Sequence, residues 1–198
     1  ITQEIAPHLF QFKQDHNHFD LAFSNGNGSH HSWFSIFHSQ PAYQWHHVQK
    51  QNWKMGSPAL QRLKQLGYQI RVYSSAQLNY YGMEKLLFGE NQSIVDSFQN
   101  FPHNYPISAA DADAQTVDAF QKDLLAHPEL KEGQCVIFFW DSTHFDYSWP
   151  KDWTPKFTPI SPTIAYFHLF QSATQIEQIK NRYRNAVFYV DSLFGKLE

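Results

Sequence analysis

The run Ser24-Asn25-Gly26-Asn27-Gly28-Ser29 delivers one hydroxyl, that of Ser29, onto the start of the apolar-periodic segment around Trp33, Phe34, Ile36 and Phe37. The residues before it, His18 to Phe23, have the short apolar character of a β-strand. The predicted order is strand, glycine turn, hydroxyl and then helix over Ser29 to Gln40. A helix N-terminus carries unpaired N–H groups and a partial positive charge, which together make a seat for an anion. A hydroxyl held there has two readings. As an N-cap it accepts a bond from an N–H two or three residues on. Ser32 stands where a Glu or Gln would close a capping box, so the cap would be one-sided. As a nucleophile it attacks the phosphorus or sulfur of an anionic ester seated on those N–H groups.

The rest of the chain reads as elements that could position this turn. Pro7 to Gln14 suits a helix, and Pro41 to Met55 a short helix or a site loop. Ser57-Pro58 opens a helix with Leu60, Leu63 and Leu66 on one face, stopped by Gly67. Tyr68 to Ser74 alternates at period two and predicts a strand, and Ser93 to Val95 a shorter one. Asp113 to Leu125 is helical by its Val117, Phe120 and Leu124 spacing. Gln134 to Asp141 is a continuous apolar strand, expected in the middle of a sheet. Trp149 to Pro162 carries four prolines and predicts a loop, and from Ala173 one long amphipathic helix runs to Leu197. Strands alternating with helices imply an α/β fold with a mainly parallel sheet flanked by helices.

Three segments resemble one family. Gly26, Asn27 and Phe34-Ser35-Ile36-Phe37 match in register the nucleophile segment of the alkaline-phosphatase/sulfatase superfamily, in its membrane-anchored bacterial branch. Ser29 stands at the position of that family's nucleophilic Thr, while Ser32 and Ser39 replace its usual glycines. Phe138 to Pro150 (FFWDSTHFDYSWP) is similar to the strand-then-loop in which a Ser-x-His and an aromatic-Ser-aromatic-Pro turn line the active site. Asn181 to Leu193 (NRYRNAVFYVDSL) is similar to the helix that follows. The arylsulfatase signature with its x-Pro-x-Arg is absent, which argues against a formylglycine nucleophile.

The resemblance implies an incomplete alkaline-phosphatase-like core. Residues 1–198 would be one domain and an internal part of a larger sulfatase-like periplasmic domain, on the periplasmic face of the bacterial inner membrane. The family's metal-binding Asp upstream and Asp-His downstream are not in this chain. A divalent metal (zinc, manganese, magnesium or calcium) is expected in the full-length protein and none in this chain, which alone is expected to be inactive. Ser29 is the expected catalytic residue, with Asn27 and His144 binding the substrate. That substrate would be a phosphate or sulfate ester, of a lipid or glycan headgroup in this branch, and the activity hydrolysis or phosphoryl or phosphoethanolamine transfer. The alternative is a non-catalytic sulfatase-fold module that binds or senses such a headgroup.

Composition bounds the remaining classes. A net charge of −3 with scattered basic residues excludes a phosphate-tracking surface, so no nucleic-acid partner is expected. The single Cys135 begins an apolar run and reads as a small core residue. Six tryptophans are mostly core, though Trp33, Trp45, Trp53, Trp149 and Trp153 fall in or beside expected loops. Twelve histidines invite a metal, yet none has the spacing that places two ligands on one helical face. The adjacent pairs His30-His31 and His46-His47 are expected to point apart. His144 is the exception: it follows the end of a buried strand, where α/β sheets place binding residues. Read blandly, it holds its own loop.

Overall fold

Period-two alternation makes Gln69–Ser74 the organising strand, β1, of the computed structural model, which describes residues 2–48, 54–104, 107–128, 132–164 and 172–197. Ile70 and Val72 are buried on one face and Tyr73 on the other. β1 pairs in parallel with Ser97–Asn100 (β2) on one side and with Gln134–Phe139 (β3) on the other, in register Arg71↔Ser97 and Gln69↔Gln134. The sheet order is β2-β1-β3.

Helices cover both faces. Ile70, Val72, Cys135 and Ile137 pack against Phe34 of α2 (Ser29–His38), Trp45 of α3 (Trp45–Val48), Leu60 of α4 (Pro58–Gln65) and Leu86 to Phe88 of α5 (Met83–Phe88). On the opposite face Tyr73 meets Phe120 of α6 (Ala109–Ala126) edge-on at 5.6 Å. Behind α6, Tyr189 and Leu193 of α7 (Ala173–Phe194) pack on Ala110 and Val117. Two layers of helix on one parallel sheet is the expected α/β class. Among the described residues no helix is long and apolar enough to cross a membrane.

Side chains, more than propensity, set the element ends. Ser57 accepts from Leu60 N to start α4, and Ser108 and Ser172 form capping boxes with Asp111 and Gln175 to start α6 and α7. Asp191, buried on α7, accepts from His8 N at 2.9 Å and Leu9 N at 2.8 Å. A carboxylate thus caps the first turn of α1 (Pro7–Asp15) from 182 residues away in sequence. α7 also holds the proline-rich loop and the turn before it: Asn185 bonds both Phe157 N and Phe157 O, Asn181 donates to Pro159 O, and Arg182 donates to Asp146 O. The third segment of the resemblance therefore fastens the loop that carries His144.

Asp96 ties three elements together. Its carboxylate accepts from Ile70 N at 2.7 Å and from Lys64 Nζ at 2.7 Å. Burial tends to raise its pKa, but the lysine and the amide outweigh that and hold the carboxyl below its ordinary value. A depressed carboxyl adds stability above the unfolded pKa of about 4, and that stability disappears as pH falls through the folded value. We expect Asp96→Asn to cost about 1 kcal/mol in urea unfolding at pH 7. The gap to wild type should close at the acid end, and an unchanged gap there would contradict this account.

Several sequence expectations are corrected. His18 to Phe23 is not a strand: Phe19, Leu21 and Phe23 are 86%, 83% and 85% exposed, with no strand beside them among the described residues. Ser93 to Val95 is a turn following a short 3-10 segment (Glu90–Gln92), and pairing begins only after Asp96 N bonds Ile70 O at 2.8 Å. β3 lies at one side of the described sheet instead of its middle. Its apolar run reflects cover on both faces, which an outer strand also receives. Cys135 is a half-buried core residue whose thiol burial pushes up. Trp53 and His168 lie outside the described residues.

Candidate functional site

The C-terminal ends of the three described strands open into one cleft of about 950 Å3. β1 leads to Ala76 and Gln77, β2 to His103, and β3 to Asp141 and His144, and each of these residues lines it. This is the edge at which open α/β sheets bind ligands. From the facing side, the turn before α2 contributes Asn27, Gly28 and Ser29.

The turn is built by its own serines. Ser24 Oγ donates to Gly26 O at 2.6 Å and lies 2.9 Å from Ser32 Oγ, which also reaches Gly26 O at 3.3 Å. A Cβ on Gly26 would stand 2.5 Å from the His31 Cβ, so only glycine lets the turn close against the helix. Gly28 is the N-cap, in extended conformation, and no side chain caps α2. Ser29 occupies the first helical position. The capping reading of Ser29 is therefore corrected: its hydroxyl makes no cap bond and lines the cleft beside first-turn N–H groups.

Three imidazoles line the same space: His30, His103 and His144. His30 leans on Tyr81, with ring centroids 4.3 Å apart. Burial, followed by the nearby His31 and His46, pushes its pKa below the ordinary imidazole value. The expectation that His30 and His31 point apart fails, since their rings are 4.0 Å apart where the helix begins. Tyr81 keeps its place with φ at +53°, a conformation that non-glycine residues rarely adopt. His38, half-buried and likewise pushed down by desolvation, lies elsewhere and bonds Leu86 O at 3.1 Å.

His103 Nε2 lies 2.6 Å from Asp141 Oδ2. Asp141 is fixed in turn: its backbone N donates to Asp113 Oδ1 at 2.9 Å. Asp113, fully buried on α6, also accepts from Ser142 N at 2.9 Å and from the hydroxyls of Ser75 and Ser142. One carboxylate so joins the ends of β1 and β3. The backbone N of His144 donates to Asp141 O at 2.9 Å, and its ring packs on Phe145 at 3.9 Å.

The predicted residues Ser29, Asn27 and His144 thus meet in one cleft, although the strand expected to carry the turn is absent. Sequence reasoning missed His103, Asp141 and Asp113. His103 stands three residues beyond the true end of β2, a position hidden when that strand was placed too early. Among the described residues no three His, Cys, Asp or Glu side chains stand close enough to hold a metal ion. The described donor set therefore does not fit a divalent cation unaided.

No family model matches the chain. No curated protein matches it either. A solved structure from Vibrio parahaemolyticus, of a protein in the alkaline phosphatase superfamily, shares its fold with a TM-score of 0.58 at 14% identity. The match covers 97% of this chain and 44% of that one, so the chain spans less than half the length of the protein it resembles. The fold is accordingly that of a partial alkaline-phosphatase-like core.

Proposed function

We propose that the cleft is the nucleophile half of a phosphoryl- or sulfuryl-transfer site of the alkaline-phosphatase superfamily. Ser29 carries this reading, as an uncapping hydroxyl at the first turn of α2 facing three strand ends. The first-turn N–H groups and Asn27 bind the equatorial oxygens of a phosphate or sulfate ester, where charge develops. His144 contacts the same group from the β3 side. Ser29 Oγ bonds to phosphorus or sulfur in line with the departing alcohol, leaving a covalent Ser29 ester that passes to water or to an acceptor alcohol. A divalent cation would supply further charge neutralisation in the full-length protein, through ligands outside this chain. Membership of the membrane-anchored periplasmic branch, with a lipid or glycan headgroup as substrate, belongs to the same reading.

The test is a covalent adduct. Full-length protein quenched during turnover of 4-nitrophenyl phosphate or 4-nitrophenyl sulfate should carry one phosphoryl or sulfuryl group on the peptide containing Ser29. The second reading, a headgroup-binding module without chemistry, is favoured by the aromatic lining of Trp33, Tyr80, Tyr81 and Phe145. It predicts that phosphorylethanolamine or glycerol phosphate binds while Ser29 is never labelled.

A further inference from the structure

We propose that His103 and Asp141 form the proton-accepting dyad of this cleft, acting on the hydroxyl that receives the group from Ser29. This inference rests on the reading of Ser29 as nucleophile.

A carboxylate bonded to one ring nitrogen holds a proton there and fixes the tautomer. Here Asp141 takes Nε2, so the neutral ring keeps its lone pair on Nδ1. Nδ1 makes no further hydrogen bond among the described residues, which leaves it as the ring atom available to a ligand. The ring is only partly buried, its side chain being 34% exposed, and both partners line the cleft that Ser29 lines. The geometry is rigid at its base. Asp141 stands two residues past β3, its backbone anchored to the buried Asp113, while Phe101 N bonds Ser74 O at 2.7 Å and fixes the chain leading to His103. The ring therefore comes from β2 and its orienting group from β3, across the intervening strand β1. An exposed surface pair has no such support.

In the step so assigned, the oxygen of water or of an acceptor alcohol bonds to phosphorus or sulfur as its proton passes to Nδ1. The bond to Ser29 Oγ breaks, the electron pair stays on Oγ, and the imidazolium returns the proton to it. His103 is the catalytic residue of this step and Asp141 a positioning residue.

The experiment has two arms. In full-length protein, imidazole 15N spectra should show His103 protonated at Nε2, with Asp141→Asn losing that preference. In turnover of 4-nitrophenyl phosphate and 4-nitrophenyl sulfate, His103→Gln should release the first equivalent of nitrophenol within about threefold of the wild-type rate. It should then break down the Ser29 adduct at least about 100-fold more slowly, so that the adduct accumulates. Asp141→Asn should slow the same step about tenfold or more, with formation spared. Added glycerol should speed breakdown in wild type and not in His103→Gln. A ring protonated at Nδ1, or a Ser29 adduct that His103→Gln clears at the wild-type rate, overturns the dyad and leaves the proposed function standing. A Ser29 that is never labelled overturns both.

Discussion

Replacing Asp113 by Ala is expected to destabilise the protein by about 3–5 kcal/mol, the largest loss of any single substitution considered. The carboxylate is fully buried and accepts four hydrogen bonds, from Asp141 N, Ser142 N and the hydroxyls of Ser75 and Ser142. Alanine removes the acceptor and strands four donors in a space closed to water, and each stranded donor carries a desolvation cost. Asp113→Asn keeps one accepting oxygen and should lose roughly half as much. Burial drives the Asp113 carboxyl above its ordinary pKa, and the four bonds only partly offset that. A raised carboxyl contributes most below the unfolded value of about 4 and loses that contribution as pH rises through the folded value. The gap between wild type and Asp113→Asn in chemical denaturation should therefore be wider at pH 4 than at pH 8. A loss under about 1 kcal/mol for Asp113→Ala would contradict the role given to this carboxylate.

Elements that signal their own ends were legible from sequence. The Ser57-Pro58 start of α4, the alternation of β1 and the apolar run of β3 each fall within two residues of the observed element. What failed depended on partners. His18 to Phe23 has the composition of a strand, but a strand needs a neighbour and a covering face, and composition encodes neither. The shift of β2 has the same origin. Ile94 and Val95 are the more apolar residues, yet ladder position is decided by Asp96, whose side chain and amide engage both polar groups of Ile70.

The candidate site divides along the same line. Ser29, Asn27 and His144 were visible because each follows a local pattern of turn, helix start or strand end. The Asp113–Asp141–His103 chain was not, since its members lie on three elements and meet only when β2 and β3 flank β1. His103 is one of twelve histidines, and no spacing marks it. The tertiary fold alone separates it from His38, a half-buried strut between α2 and α5.

For Ser29→Ala in the full-length protein we expect turnover of phosphate or sulfate esters to fall at least about 1,000-fold, with stability almost untouched. The two outcomes separate because of where the residue stands. Had Ser29 been the N-cap, alanine would cost about 1 kcal/mol through the lost side-chain bond. Gly28 holds that position instead, and the Ser29 hydroxyl caps nothing. Alanine is the better helix former by a few tenths of a kcal/mol, so any stability change should be within about 0.5 kcal/mol of zero. Ser29→Thr keeps a hydroxyl on the same backbone and should keep most of the activity. Ser32→Ala serves as the contrasting control, because its hydroxyl bonds Gly26 O and lies beside Ser24 Oγ. It should loosen the turn and weaken substrate binding while leaving the covalent step possible. Full activity in Ser29→Ala at unchanged stability would show that Ser29 is not the nucleophile, and the chemistry assigned to this cleft would fall with it.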